Sequence, residues 1–246
     1  MHCVREALRA RRRPLYELRV DPGRTGPEIR EIVRLAEAAA VPVVEAKPGR
    51  GEDDRHAQGV VLEAGPLPEL PLEQLVGLGD SPRTLVALDG VEDPQNVGAI
   101  ARVAEAAGAA ALILTARRAP PLSAALARAS AGAIEWLPVA RVGNLSRALR
   151  FLKGEGYWVF GAEVGAPCSL YELPERWLTG DRVLMLGAEG RGLRAGIVND
   201  LDHRVEIPMM GAVSSLNVGA AAAVMLFELA RRSGSQLGRQ GARNRD

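Results

Sequence analysis

Apolar residues in this chain come in short runs cut apart by glycine and proline. The spacing inside each run separates strands from helices. Residues 84–88, 111–114, 158–161, 182–186 and 204–207 are brief runs of strand character, and residues 97–107, 121–130, 144–154 and 215–232 repeat apolar positions at helical spacing. Short strands alternating with helices predict an α/β domain, a mostly parallel sheet covered on both faces, with ligands bound at the carboxyl ends of its strands. Upstream, residues 4–10 read as a helix, 15–20 as a strand and 27–40 as a helix with Ile29, Ile32, Val33, Leu35 and Ala36 on one side. Runs at 41–45 and 59–63 complete a small α/β module. Between the two lies a stretch holding Pro66, Pro68, Pro71 and Pro82 with Gly65, Gly77 and Gly79, too punctuated for a regular element. The expected layout is a first domain at 1–70, a linker at 71–83, a main domain at 84–233 and a polar tail at 234–246 that is expected to be disordered.

Composition narrows the class. Of 246 residues, 47% are hydrophobic and 25% charged, and the mean hydropathy is −0.01, which is globular and excludes fibrous or disordered chains. The longest apolar run, 218–227, is about half of the roughly 20 residues a membrane span needs, and the arginine-rich opening carries no secretory pattern. A cytoplasmic protein without a membrane partner is expected. Cys3 and Cys168 form no disulfide framework, and His2, His56 and His203 stand far apart, so neither a metal site nor a histidine-based triad is expected. The net charge is +1, yet of 31 basic residues all but Lys47 and Lys153 are arginine. The planar guanidinium fork suits phosphate, although abundance alone does not identify RNA.

Three clusters, each after a strand, carry candidate chemistry. Asp93-Pro94-Gln95-Asn96-Val97-Gly98 runs into a helix that bears Arg102. A helix start with a nearby guanidinium makes a plausible anion clamp, and equally an ordinary turn and cap. Gly187-Ala188-Glu189-Gly190-Arg191-Gly192 places a carboxylate inside a glycine turn, which needs a donor to hold it; its spacing departs from the dinucleotide-binding fingerprint. Ile207-Pro208-Met209 leads through Ser214 and Ser215, either of which suits an N-cap, to Leu216-Asn217-Val218 and a helix of Gly219 and four alanines. So bare a helix implies a close neighbour, from a partner subunit or a nearby loop.

Together, Asp93-Pro94-x-Asn96-x-Gly98-x-x-x-Arg102, Gly187-x-Glu189-Gly190-x-Gly192 and Ile207-Pro208-Met209 leading to Ser215-Leu216-Asn217-Val218 resemble, in order and spacing, the three motifs of the SpoU family of RNA ribose 2'-O-methyltransferases. Residues 1–63, with Val4-Arg5-Glu6-Ala7-Leu8 and His56-Ala57-Gln58-Gly59-Val60, resemble the ribosomal-protein-like RNA-binding domain that precedes the bacterial enzymes of this type. The resemblance implies a C-terminal deep trefoil knot, S-adenosyl-L-methionine held by Gly187, Ile207, Met209 and Leu216, and a homodimer. It assigns the chemistry to Asn96, Arg102, Glu189, Ser215 and Asn217, with no metal. It implies methylation of a guanosine of 23S rRNA; a tRNA 2'-O-methyltransferase and a non-catalytic RNA-binding protein are the alternatives.

Overall fold

A computed structural model describes residues 1–47 and 57–233; His56 and the tail at 234–246 lie outside the described residues. The N-terminal part contains α1 (His2–Ala10), β1 (Leu15–Val20), α2 (Pro27–Ala38), β2 (Val43–Glu45) and β3 (Val60–Ala64). Its sheet has the order β2-β1-β3, with β2 parallel and β3 antiparallel to β1. Pro27 opens α2, where its fixed φ fits and its missing N–H costs nothing. The helix buries Ile29, Ile32 and Ala36 against Leu8, Leu18 and Val60.

The larger part holds β4 (Thr84–Asp89), α3 (Pro94–Ala106), β5 (Ala111–Thr115), α4 (Ala124–Ala129), β6 (Val139–Val142), α5 (Leu145–Gly154), β7 (Trp158–Ala162), β8 (Cys168–Ser169), β9 (Arg182–Gly187), α6 (Ala195–Val198), β10 (His203–Glu206) and α7 (Val218–Arg232). Seven strands run in the order β6-β5-β4-β9-β7-β10-β8, and every neighbouring pair is parallel. All their carboxyl ends therefore share one edge, where the register sets Asp89 beside Gly187. Alternate residues feed two cores. Val86, Leu88, Leu184 and Leu186 face α3 and α7, whereas Leu85, Ala87, Val183 and Met185 face α5. Apolar side chains on both faces explain why β4 and β9 read as continuous apolar runs.

The structure corrects several expectations. Asn217, not Ser214 or Ser215, caps α7: its Oδ1 accepts the Ala220 N–H at 2.7 Å, so residues 207–217 stay an extended loop. The expected helix at 121–130 shortens to α4, because Pro120 and Pro121 hold the chain out of helical conformation and Ser123 is extended. Strands β6 and β8 were not expected. The proline-rich stretch packs against the larger part: Leu67 and Leu75 are buried in the two cores and the Leu70 N–H donates to the Val139 carbonyl at 2.8 Å. The close neighbour of α7 lies within the same chain: a Cβ on Gly219 would come 3.1 Å from the Cβ of Ala99 on α3. Ala222 is wholly buried there.

Polar groups also fasten the two parts together. Glu135, buried next to α3, pairs with Arg13, and its main-chain carbonyl accepts from Arg12 at 3.3 Å. Burial pushes the Glu135 carboxyl up, opposed by the two arginines. Among the described residues no helix is long and apolar enough to cross a membrane.

Candidate active site

The glycine turn after β9 is a consequence of how closely the chain doubles back. The Gly192 N–H donates to the Ala188 carbonyl at 2.8 Å, and Gly190 and Gly192 have φ of +77° and +64°, a region that side chains disfavour. A Cβ on Gly187 would lie 2.2 Å from the Gly192 carbonyl carbon. No other residue fits. The turn is pinned from outside by Asp89 at the end of β4. Its buried carboxylate accepts the Arg194 main-chain N–H at 2.9 Å and Nε at 2.7 Å, and Nη2 lies 2.6 Å away. Sequence reasoning gave Asp89 no role; the one available signal was a carboxylate ending an otherwise apolar strand, where it must find a partner.

This turn forms one wall of a cavity of about 580 Å³, and the 207–217 segment forms the facing wall. Leu186, Val205, Val218 and Met225 supply an apolar floor. Gly187, Glu189, Ile207, Met209, Ser215, Leu216 and Asn217 all line it. Asn96, in the first turn of α3, donates from Nδ2 to Glu189 Oε2 at 3.3 Å, so the first and second clusters meet at the rim. Asn96 is placed there because Asp93 caps α3 by accepting the Gln95 N–H at 2.9 Å.

Arg102 is not brought to the cavity. It lies six residues along α3 from Asn96, roughly 9 Å of helix rise, exposed and without an ion-pair partner among the described residues. Gly98 proves structural: its Cβ would stand 2.4 Å from the Cβ of Ala129, so it lets α3 lie against α4.

An apolar slot with backbone groups along one wall and amide, hydroxyl and carboxylate groups at the rim can hold a flat heterocycle and present its polar end outward. Residues 83–227, which contain all three clusters, match the SpoU rRNA Methylase family. The chain belongs to this family. It is similar along nearly its full length to SpoU-type enzymes: 38% identical over 239 residues, 94% of each chain, to the 23S rRNA (guanosine-2'-O-)-methyltransferase RlmB of Pseudomonas aeruginosa. With the RlmB of Ralstonia nicotianae it shares 39% over 236 residues, 94% of this chain and 93% of that one. Among solved structures, the AdoMet-bound rRNA methyltransferase of Sinorhizobium meliloti superposes with a TM-score of 0.74 at 26% identity, covering 94% of this chain and 85% of the other. The SpoU match begins just before β4, and the similarity to these relatives extends the relationship across the N-terminal module.

Proposed function

We propose that this chain transfers a methyl group from S-adenosyl-L-methionine to the ribose 2'-hydroxyl of a guanosine in 23S rRNA. The observation that carries the reading is the cavity between the glycine turn and the 207–217 segment, with the Asn96–Glu189 hydrogen bond at its rim. The cavity fits the cofactor: its floor is apolar and its volume of about 580 Å³ lies in the range of small-molecule sites. Gly187, Ile207, Met209 and Leu216 hold the adenosine portion by backbone groups and apolar contact. When bound, the cofactor supplies an electrophilic methyl group.

The chain's own residues then have to position a ribose oxygen and favour loss of its proton. Asn217 Oδ1 is committed to capping α7, which leaves its Nδ2 protons to orient the hydroxyl, together with the exposed Ser215. Glu189 fixes Asn96 so that its remaining amide group faces the nucleotide. Arg102 is a poor base, since a guanidinium does not deprotonate; it clamps the nucleotide phosphate, and the added positive charge favours the ionised hydroxyl.

In this reading, residues 1–70 are the RNA-binding domain, 71–83 connect it and 84–233 form the methyltransferase domain. The segment from β10 to α7 forms the trefoil knot, supported by the way 207–217 faces 187–193 across one cavity. The protein works as a cytoplasmic homodimer through the outer face of α7, where Phe227 is 43% exposed next to half-buried Ala220 and Ala223. The test is labelled methyl transfer to purified 23S rRNA and tRNA. Incorporation into 23S rRNA is expected; incorporation into tRNA alone would move the substrate, and cofactor binding without transfer to either would leave an RNA-binding protein.

A further inference from the structure

The same edge of the sheet carries a second cavity, of about 520 Å³, at the ends of β4, β5 and β6. It lies across the glycine turn from the first: Gly187–Leu193 line one cavity, and Arg194 and Gly196, immediately following, line the other. Its walls include Arg117, Arg118 and Arg194 and, among the described residues, no acidic side chain. Arg194 is already paired with Asp89. Arg117 and Arg118 are exposed and have no hydrogen-bond or ion-pair partner for their side chains among the described residues.

The loop bearing these two arginines is held rigidly while their side chains stay free. Arg141 of β6 donates to the Thr115 and Pro120 carbonyls, both at 3.1 Å, and is itself braced by Glu69 at 2.8 Å. The Ala116 N–H donates to Val142 at 2.8 Å, and the Thr115 hydroxyl donates to the Arg117 carbonyl. Arg118 sits at a φ of +62°, a conformation uncommon for a residue with a side chain. Opposite the loop, α5 starts inside the cavity. Asn144 caps it by accepting the Arg147 N–H at 3.0 Å, which leaves the N–H groups of Leu145 and Ser146, the first two helical residues, without intrahelical acceptors.

We propose that this cavity grips the backbone phosphate of the RNA beside the target nucleotide, with Arg117 and Arg118 as its charged ligands. The proposal rests on the RNA-methyltransferase reading above and adds to it a site outside the three clusters. A phosphate suits an uncompensated pair of guanidinium groups and a helix start, and it needs no base contact, so the site sets register and affinity while identity is read elsewhere.

The test is the double variant Arg117→Gln, Arg118→Asn, asparagine being chosen because it tolerates the left-handed backbone. Methyl transfer to 23S rRNA is measured over a range of salt concentrations, with cofactor affinity by calorimetry and melting temperature as controls. The KM for RNA should rise at least tenfold. The slope of log KM against log salt should shrink by about 1.4, the loss of two single-strand phosphate contacts at about 0.7 each. Cofactor affinity should not change. A double variant with wild-type KM and salt slope overturns the proposal, provided the wild-type enzyme methylates the RNA; a wild-type enzyme that methylates no RNA instead removes the reading on which it rests. Should the double variant melt early, Arg117→Gln alone, outside the strained position, must show half of the slope change or the proposal fails.

Discussion

The two halves of the carboxyl edge are built on opposite principles. On the side of β9, β7 and β10, the proposed recognition is by shape: Gly187 lets backbone approach backbone, Gly190 and Gly192 take the positive φ of the turn, and the cavity floor is Leu186, Val205 and Met225. On the side of β4, β5 and β6, recognition is by charge, with Arg117, Arg118 and Arg194 around a helix start. Each half is fragile in its own way. A single methyl group can ruin the first, and salt can weaken the second.

Arg102→Ala should have the largest effect. Loss of the positive charge that the proposal sets on the nucleotide phosphate costs on the order of 10²–10³ in rate, so single-turnover transfer at saturating RNA should fall by that factor while calorimetry finds cofactor affinity unchanged. Wild-type rates would remove the clamp and leave the chemistry to the rim residues. Gly187→Ala comes next. The added Cβ meets backbone at 2.2 Å, and overpacking of this kind costs about 1–3 kcal/mol. Cofactor affinity should drop more than tenfold with little change in RNA KM; equal losses of both would blur the division between the halves.

Asp89→Asn attacks the wall the two cavities share. The carboxylate is buried but its partner Arg194 is 51% exposed, so the loss is discounted to about 1–2 kcal/mol, a few degrees of melting temperature. Several-fold losses should appear in both cofactor affinity and RNA KM. An effect on only one would show that the turn is not coupled to the arginine side. The smallest effect lies at the opposite end of the sheet. His203 stacks on Trp177, and its pKa is held below the ordinary value, first by burial and then by Arg176 and Lys153, against the opposing pull of Asp202. The unfolded chain therefore takes up the proton more readily. Stability from this group is complete above about pH 6.5 and declines as pH falls below it. The melting temperature should decline less in His203→Phe between pH 7 and 5, with cofactor binding unaffected; parallel curves would contradict this.

Much of this organisation was legible because it is local. Strands buried on both faces announce themselves as apolar runs, which is why β4, β5 and β9 were readable, and the glycine turn and the residues lining the first cavity sit in contiguous motifs. The rest depends on pairings the chain makes at long range. Strand β6 escaped because Arg141 interrupts its apolar run, and that arginine's partners, Thr115, Pro120 and Glu69, come from elsewhere in the sequence. Asp89 and Arg194 meet only once β4 and β9 are adjacent. The cap of α7 was misplaced because Ser214, Ser215 and Asn217 are all good caps, and the route of the preceding loop decides among them. The proline-rich stretch was read only as a linker because its leucines reveal their packing only when set against β6 and the cores.

In the proposed reaction the methyl group goes to a ribose rather than to a base, and to 23S rRNA. A ribose 2'-O-methyl group protects the adjoining phosphodiester from alkali, because cleavage requires the free hydroxyl. Unmethylated 23S rRNA, incubated with the purified protein and S-adenosylmethionine and then mapped by resistance to alkaline cleavage, should gain one protected position, 3' of a guanosine. Methyl incorporation with no alkali-resistant position would place the group on a base and contradict ribose methylation.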